Sequence, residues 1–225
     1  MKITVLIPVL NEVSTIKSIL EKIKENKNLE LEIIIIDDNS TDGTYELLQE
    51  FKDKFQIKLI RNKVNKGKGF SIREGLKLAS GKIIIIQDAD LEYDPKDYNK
   101  LISPILNNKA DVVYGTRFSG SGDRKVHFFW HTIANKILTF LCNIKTNLNL
   151  TDMECGYKAF KTEVIQRIEL KENRFGFEPE VTIKLARNKN SFYEVSVNYY
   201  GRSYEEGKKI SFKDALRAVY VILIY

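Results

Sequence analysis

The sequence predicts an α/β protein, a single domain with a mostly parallel central sheet flanked by helices. Three observations carry that expectation. The first half repeats one unit, a short apolar run followed by a polar turn and a segment with helical spacing, as parallel strands joined by crossover helices require. The runs themselves, such as Ile83-Ile84-Ile85-Ile86, are apolar at successive positions, which suits strands buried on both faces. No Pro/Gly/Ser-rich linker divides the 225 residues, of which 43% are hydrophobic, enough for one substantial core.

The elements follow in order. Ile3 to Val9 is the first strand, because Met1 to Pro8 lacks the long apolar region and small-residue cleavage site of a signal peptide. A helix near Val13 to Glu25 leads to a strand over Leu31 to Ile36. Ser40-Thr41-Asp42-Gly43 caps the next helix, Thr44 to Lys54, and Gln56 to Ile60 is the third strand. The third helix runs from Gly69 to Ala79, ends at Ser80-Gly81, and feeds the strand Lys82 to Ile86. A helix around Pro95 to Leu106 and a strand over Asp111 to Tyr114 complete the repeat. Beyond it the rhythm is lost. Val126 to Cys142 has the spacing of a packed amphipathic helix, Phe192 to Tyr199 alternates as a strand, and Phe212 to Tyr225 closes the chain as an amphipathic helix. Its apolar run, Ala218 to Tyr225, is far below the roughly 20 residues needed to span a bilayer, leaving core docking or a membrane surface beside Arg202, Lys208, Lys209, Lys213 and Arg217.

Composition narrows the partners. Lys+Arg 36 against Asp+Glu 30 gives +6, a modest excess suited to an anionic ligand or an acidic membrane surface. No basic run interleaved with aromatics supports nucleic-acid binding. Cys142 and Cys155 form no CxxC and no metal-like grouping with His127 and His131, so free thiols are expected and zinc is not. The expected location is cytoplasmic, with the inner face of the membrane as a peripheral option. The sequons at Asn39 and Asn149 carry no weight without secretion.

The chemistry is written at the strand exits. Gln87-Asp88-Ala89-Asp90-Leu91-Glu92 crowds three acids after the fourth strand, at the carboxyl edge where open α/β sheets bind ligands. Asp88 and Asp90, two apart, share a face in extended backbone and can converge on one hard cation, Mg2+ or Mn2+. An isolated Asp-x-Asp is also common in solvated turns, so its neighbours decide. Asp37-Asp38 leaves the second strand and Pro8-Val9-Leu10-Asn11-Glu12 the first, both at the same edge. Asn65-Lys66-Gly67-Lys68-Gly69 can bring backbone N–H groups and positive charge to phosphate, although it lacks the P-loop pattern. Arg202, in the polar loop Gly201 to Lys209, can clamp a diphosphate bidentately.

With these residues in view, the chain resembles the family 2 glycosyltransferases of the Rossmann-like GT-A fold, and within them the dolichyl-phosphate mannose synthase and polyprenyl-phosphate glycosyltransferase branch. Seven motifs in order carry the resemblance over nearly the whole chain: Ile7 to Glu12, Ile36 to Thr44, Asn65 to Gly69, Asp88 to Pro95, Gly115 to Phe118, Asp152 to Phe160 and Arg202 to Lys209. The resemblance implies that residues 1–115 form a nucleotide-sugar-binding half and residues 116–225 an acceptor-binding half. Pro8, Leu10, Glu12, Ile36, Asp38, Lys68 and Ala89 would hold the nucleotide, with Asp38 reading the base. Asp88, Asp90 and Glu92 would surround the metal, Glu92 standing where these synthases commonly have Gln. Arg202 would hold the donor diphosphate, Arg117 an acceptor phosphate, and His131 stands near where some members place a second phosphate-binding Arg. Asp152 would be base or orienter: with a phosphate acceptor Asp152, or Glu178 and Glu180, would orient, and with a sugar hydroxyl one of these acids would act as base.

The implied reaction is an inverting, metal-dependent transfer of a hexose from a GDP- or UDP-linked sugar to polyprenyl phosphate. A soluble or cell-envelope glycan hydroxyl is the alternative acceptor. A nucleotidyltransferase or a nucleotide-sugar binding module without turnover could use similar acidic exits. The former generally has a Gly-rich loop after the first strand, whereas Pro8 to Glu12 has no glycine.

Overall fold

The computed structural model describes residues 1–119, 128–202 and 212–225, so Val126 and His127 of the predicted fifth helix and Ser203 to Lys209 of the basic loop lie outside the described residues. Seven strands form one sheet: β1 (Lys2–Val9), β2 (Glu30–Asp37), β3 (Ile57–Arg61), β4 (Ile83–Ile86), β5 (Val112–Thr116), β6 (Lys158–Lys161) and β7 (Phe192–Ser196). The helices are α1 (Ile16–Lys24), α2 (Thr44–Phe55), α3 (Lys68–Leu76), α4 (Tyr98–Leu106), α5 (Phe129–Thr146), α6 (Thr162–Gln166), α7 (Phe177–Arg187) and α8 (Phe212–Ile224).

The strand order is β3-β2-β1-β4-β6-β5-β7. β2 and β3 extend from one side of β1 and β4 lies on the other, all parallel. That reversal of direction is a topological switch point, where diverging crossovers leave a crevice above the carboxyl ends of β1 and β4. Register aligns the exits, since Val9 pairs with Asp37 and Leu6 with Ile86. Alternate side chains feed two cores. Ile33 and Ile35 pack with α1, α2 and α4 residues such as Ile19, Leu48 and Leu101. Ile34 and Ile36 pack on the opposite face with Ile72 of α3 and Val181 of α7.

Several boundaries differ from the sequence reading. The third helix stops at Leu76, three residues before the predicted Ala79, because Ser80 is drawn elsewhere: its N–H and Oγ donate to the buried Glu32 carboxylate at 2.9 and 2.8 Å. Cap chemistry before α2 centres on Asp42, whose Oδ1 accepts from Thr44 N at 3.0 Å, while Gly43 provides the left-handed backbone (φ 95°) that enters the helix. The Gly-Tyr-x-Ala-Phe segment supplies β6, antiparallel to both β4 and β5. A strand from the second half of the chain thereby sits inside the sheet, between β4 and β5, which no local period announces. β7 ends at Ser196, and Tyr199 instead makes an isolated antiparallel bridge to Tyr93.

Candidate active site

The crevice at the switch point is a cavity of about 430 Å³. Pro8, Leu10, Glu12, Asp38, Lys68, Asp88, Ala89, Asp90, Glu92, Arg117 and Arg202 all line it. Parallel strands with matched register deliver the first nine of these from four successive exits or helix starts.

At the β2 side, Asp38 is buried and organises the neighbouring loop. Its carboxylate accepts from Lys66 N at 2.9 Å, Gly67 N at 2.6 Å and Asn62 Nδ2 at 2.7 Å. These bonds hold the start of α3 against the cavity, and Lys68 projects from there to Asp88 Oδ1 at 2.8 Å and Glu178 Oε1 at 3.2 Å. Burial opposes a charge on Lys68, but the two carboxylates prevail and keep its ammonium protonated well beyond the ordinary range.

Arg202 forms the opposite rim. Its guanidinium is bidentate on Glu12, at 2.9 and 3.1 Å, and reaches Asp90 Oδ2 at 3.3 Å. Its backbone N–H donates to Glu92 Oε1 at 2.6 Å, and the other oxygen of Glu92 accepts from Tyr199 Oη at 3.0 Å. Behind the strand exit, Gln87 Oε1 accepts from the hydroxyls of Tyr98 and Tyr157, at 2.9 and 2.5 Å, while its amide donates to Asp88 O. This buried clamp fixes the direction in which Asp88 leaves the sheet.

Among the described residues, no three acidic, histidine or cysteine side chains form a ready-made metal cage. The acids nevertheless fit a divalent cation. Burial and then the charges of Asp88 and Glu92 push Asp90 up to about 7, even with Arg202 beside it, and a cation among these carboxylates would relieve their mutual repulsion.

Three predicted residues do not line the cavity. Ile36 is fully buried in the core facing α3, where a strand interior surrounded by apolar side chains holds it. His131 packs its ring edge-on to Phe128, with centroids 5.5 Å apart, one turn before Asn135 on α5. Asp152 lies wholly buried behind Arg117, accepting Nε and Nη2 at 2.7 Å each, Arg117 N at 3.0 Å and Asn135 Nδ2 at 3.0 Å. Burial works to raise its pKa, but the guanidinium and these donors hold the carboxyl below the usual carboxylate range. Of the two further acids, Glu178 faces the cavity, whereas Glu180 accepts from Lys171 N, Glu172 N and Lys184 Nζ and serves the fold.

The sequence reading named no role for Glu154, Gly156, Arg174, Phe175 or Tyr199, which also line the cavity. Only the Asp152 to Phe160 motif hinted at the first two. Gly156 is required by close approach, since a Cβ there would overlap Asp88 Oδ2. Glu154, driven first by burial and then by Glu178, has its carboxyl pushed up to about 8.

Sheet order, switch-point cavity and acidic strand exits together define an α/β protein of the GT-A fold. Residues 4–169 match the glycosyl transferase family 2 model, and the chain belongs to that family. It is 30% identical over 211 residues to a dolichol-phosphate mannosyltransferase of Pyrococcus furiosus, covering 92% of this chain and 59% of that protein. It is 26% identical over 216 residues to a dolichyl-phosphate beta-glucosyltransferase of Trichomonas vaginalis, covering 88% of this chain and 65% of the relative. The chain thus spans less than two thirds of either enzyme's length. The glucosyl-3-phosphoglycerate synthase of Mycobacterium tuberculosis, solved with Mn2+, UDP and phosphoglyceric acid, shares the fold with a TM-score of 0.76. That match is 19% identical and covers 99% of this chain and 77% of the synthase.

Proposed function

We propose that the chain transfers a hexose from a GDP- or UDP-linked sugar to a polyprenyl phosphate, with inversion at the anomeric carbon. The observation that carries this reading is the row of groups along one cavity: Asp38 and Glu12, then the acids Asp88, Asp90 and Glu92 beside Arg202, then Arg117. Residues 1–115 supply most of the donor end, which Arg202 completes, and residues 116–225 the acceptor end. Similarity to the Pyrococcus and Trichomonas enzymes supports a dolichyl-type acceptor.

In the reaction an acceptor oxygen attacks the anomeric carbon, the bond from that carbon to the diphosphate oxygen breaks, and the nucleoside diphosphate leaves. Asp88 and Asp90, with Glu92 behind them, would hold Mg2+ or Mn2+, which supplies positive charge for the departing diphosphate. Arg202 exchanges its carboxylate partners for the same diphosphate, a planar bidentate donor meeting charge that grows as the bond breaks. Lys68 ties Asp88 to Glu178 through ion pairs of 2.8 and 3.2 Å. Arg117, backed by Asp152, presents a guanidinium to the acceptor phosphate.

The pairing of acids favours phosphate over a glycan hydroxyl as acceptor. A hydroxyl needs a base, but Asp152 is committed to Arg117 and Glu178 to Lys68. A phosphate oxygen is already anionic. Asp152 is therefore assigned as orienter.

The second half also has a surface suited to a lipid-borne substrate. Trp130, Ile137, Phe140 and Ile144 form an exposed stripe along α5, and Leu216, Tyr220 and Leu223 another along the adjoining α8. Exposed Lys136, Lys145 and Arg217 fringe them, the pattern of helices lying in an anionic membrane interface at the cytoplasmic face. Among the described residues no helix is long and apolar enough to cross a membrane.

The test is transfer of radiolabel from GDP-mannose, UDP-glucose and related donors, with Mn2+, to undecaprenyl or dolichyl phosphate or to a soluble glycan. Label in the organic phase that disappears in Asp90→Ala supports the reading. Label appearing only in the soluble glycan refutes the lipid acceptor, and tight nucleotide-sugar binding without turnover in either protein indicates a binding module.

A further inference from the structure

The transferred sugar must lie between the diphosphate and the acceptor, and strand order determines which side chains wait there. Moving across the sheet from β2, the loops present Asp38, then Glu12, then Asp88 and Asp90 at β4, then the segment entering β6, and finally Arg117 at β5. The segment entering β6 carries Glu154 and Gly156, and Gly156 packs directly on Asp88. Glu154 therefore stands one strand beyond the acid pair, on the way to Arg117.

Its hydrogen bonding is incomplete. Among the described residues, four buried side-chain polar atoms meet no hydrogen-bond partner: Asp37 Oδ1, Glu154 Oε1, Glu178 Oε2 and Arg202 Nε. Three of these four belong to residues lining this one cavity. Such atoms are rare in native proteins, and their concentration at one site indicates groups that a ligand completes. Arg202 Nε suits the diphosphate. The two carboxyl oxygens are poor partners for phosphate, since Glu178, ion-paired to Lys68, repels like charge, and the strand order puts the base at the other end. They suit a ligand rich in hydroxyl groups.

We propose that Glu154 is a specificity-determining residue of the donor-sugar pocket, hydrogen-bonding a hydroxyl of the transferred hexose together with Glu178. This rests on the reading of the cavity as a nucleotide-sugar site. Glu178 is already anchored by Lys68 through its other oxygen, so its free oxygen has a fixed direction. Glu154 is held at the turn between Asp152, fastened to Arg117, and Lys158, whose Nζ donates to the carbonyls of Met153 and Cys155. A hydroxyl reader fixed at both ends discriminates against epimers and deoxy sugars, because an analogue lacking the hydroxyl leaves the buried carboxyl unpaired.

The experiment is calorimetric titration, with Mn2+, of UDP, GDP, UDP-glucose, GDP-mannose and the monodeoxy forms of the preferred donor. Wild type is compared with Glu154→Leu and Glu154→Gln. Glu154→Leu should weaken nucleotide-sugar binding roughly 10- to 100-fold while leaving the free nucleoside diphosphate within about twofold, with Glu154→Gln in between. One monodeoxy donor should bind wild type with a comparable loss, and Glu154→Leu should cease to distinguish it from the parent sugar. Equal losses for diphosphate and nucleotide sugar, no loss, or retained discrimination in the variant would overturn the assignment. Should Glu154→Leu and Glu154→Gln both fail to fold, the deoxy series on wild type decides, and binding of every analogue as tightly as the parent overturns it. Failure of wild type to bind either nucleoside diphosphate is a separate result, and it overturns the glycosyltransferase site itself.

Discussion

Asp152→Asn separates orientation from base catalysis. The wild-type carboxylate accepts four N–H donors, two from the Arg117 guanidinium at 2.7 Å, one from Arg117 N and one from Asn135, with no exposure to water. An amide turns one of those oxygens into a donor facing a donor and removes the charge that Arg117 balances. Breaking a buried pair in this way costs about 3–5 kcal/mol. For a chain of this size each kcal/mol shifts Tm by about 2–4 °C, so a fall on the order of 10 °C is expected. The pH dependence has a defined sign. The folded carboxyl titrates below its ordinary value, so its contribution is present above about pH 4 and is lost as the pH falls further. Thermal unfolding between pH 2 and 8 should therefore show wild type losing its advantage at the acid end, the two curves converging there. A fall in Tm below about 2 °C, or a constant gap between the curves down to pH 2, would refute the pairing. A collapse of kcat in a variant of unchanged Tm would restore Asp152 as a base.

Other consequences follow from the same cavity. Gly156→Ala drives a methyl into Asp88 and should weaken Mn2+-dependent UDP or GDP binding roughly 100-fold while the circular dichroism spectrum is retained; unaltered binding would show that Asp88 is not a ligand. Asp90 titrates at about 7, so Mn2+ affinity should rise about fivefold from pH 6 to 7 and less than about twofold from 7 to 8; a flat profile in calorimetry would count against it. The same shift makes Asp90's contribution to metal-free stability complete below about pH 4 and lost as pH rises through 7, a slope that Asp90→Asn should remove. Trp130→Glu combined with Leu223→Glu should abolish sedimentation with anionic vesicles without altering UDP or GDP affinity, and unchanged sedimentation would dismiss the α5–α8 face as a membrane contact.

The sequence by itself determined the parallel half of the sheet and its acidic edge. Apolar runs at successive positions specify strands buried on both faces, and a polar residue just beyond such a run can only emerge at a sheet edge, so Asp38, Asp88, Asp90 and Glu12 were legible one strand at a time. It also marked Arg117 and Arg202 through ordered motifs. Tertiary structure decided what each of them meets. That Ile36 is core and not lining follows from α3 packing over β2. That Asp152 serves Arg117 follows from the exit of β5 meeting the segment that leads into β6, residues 35 apart in the chain. Glu178 and Glu180 look equivalent in sequence, yet helical rotation turns one to the cavity and the other to the backbone of Lys171 and Glu172. Glu154 escaped notice for the same reason. A carboxyl's role depends on which partners surround it, and antiparallel insertion of β6 between β4 and β5 is a long-range pairing that no local hydrophobic period encodes.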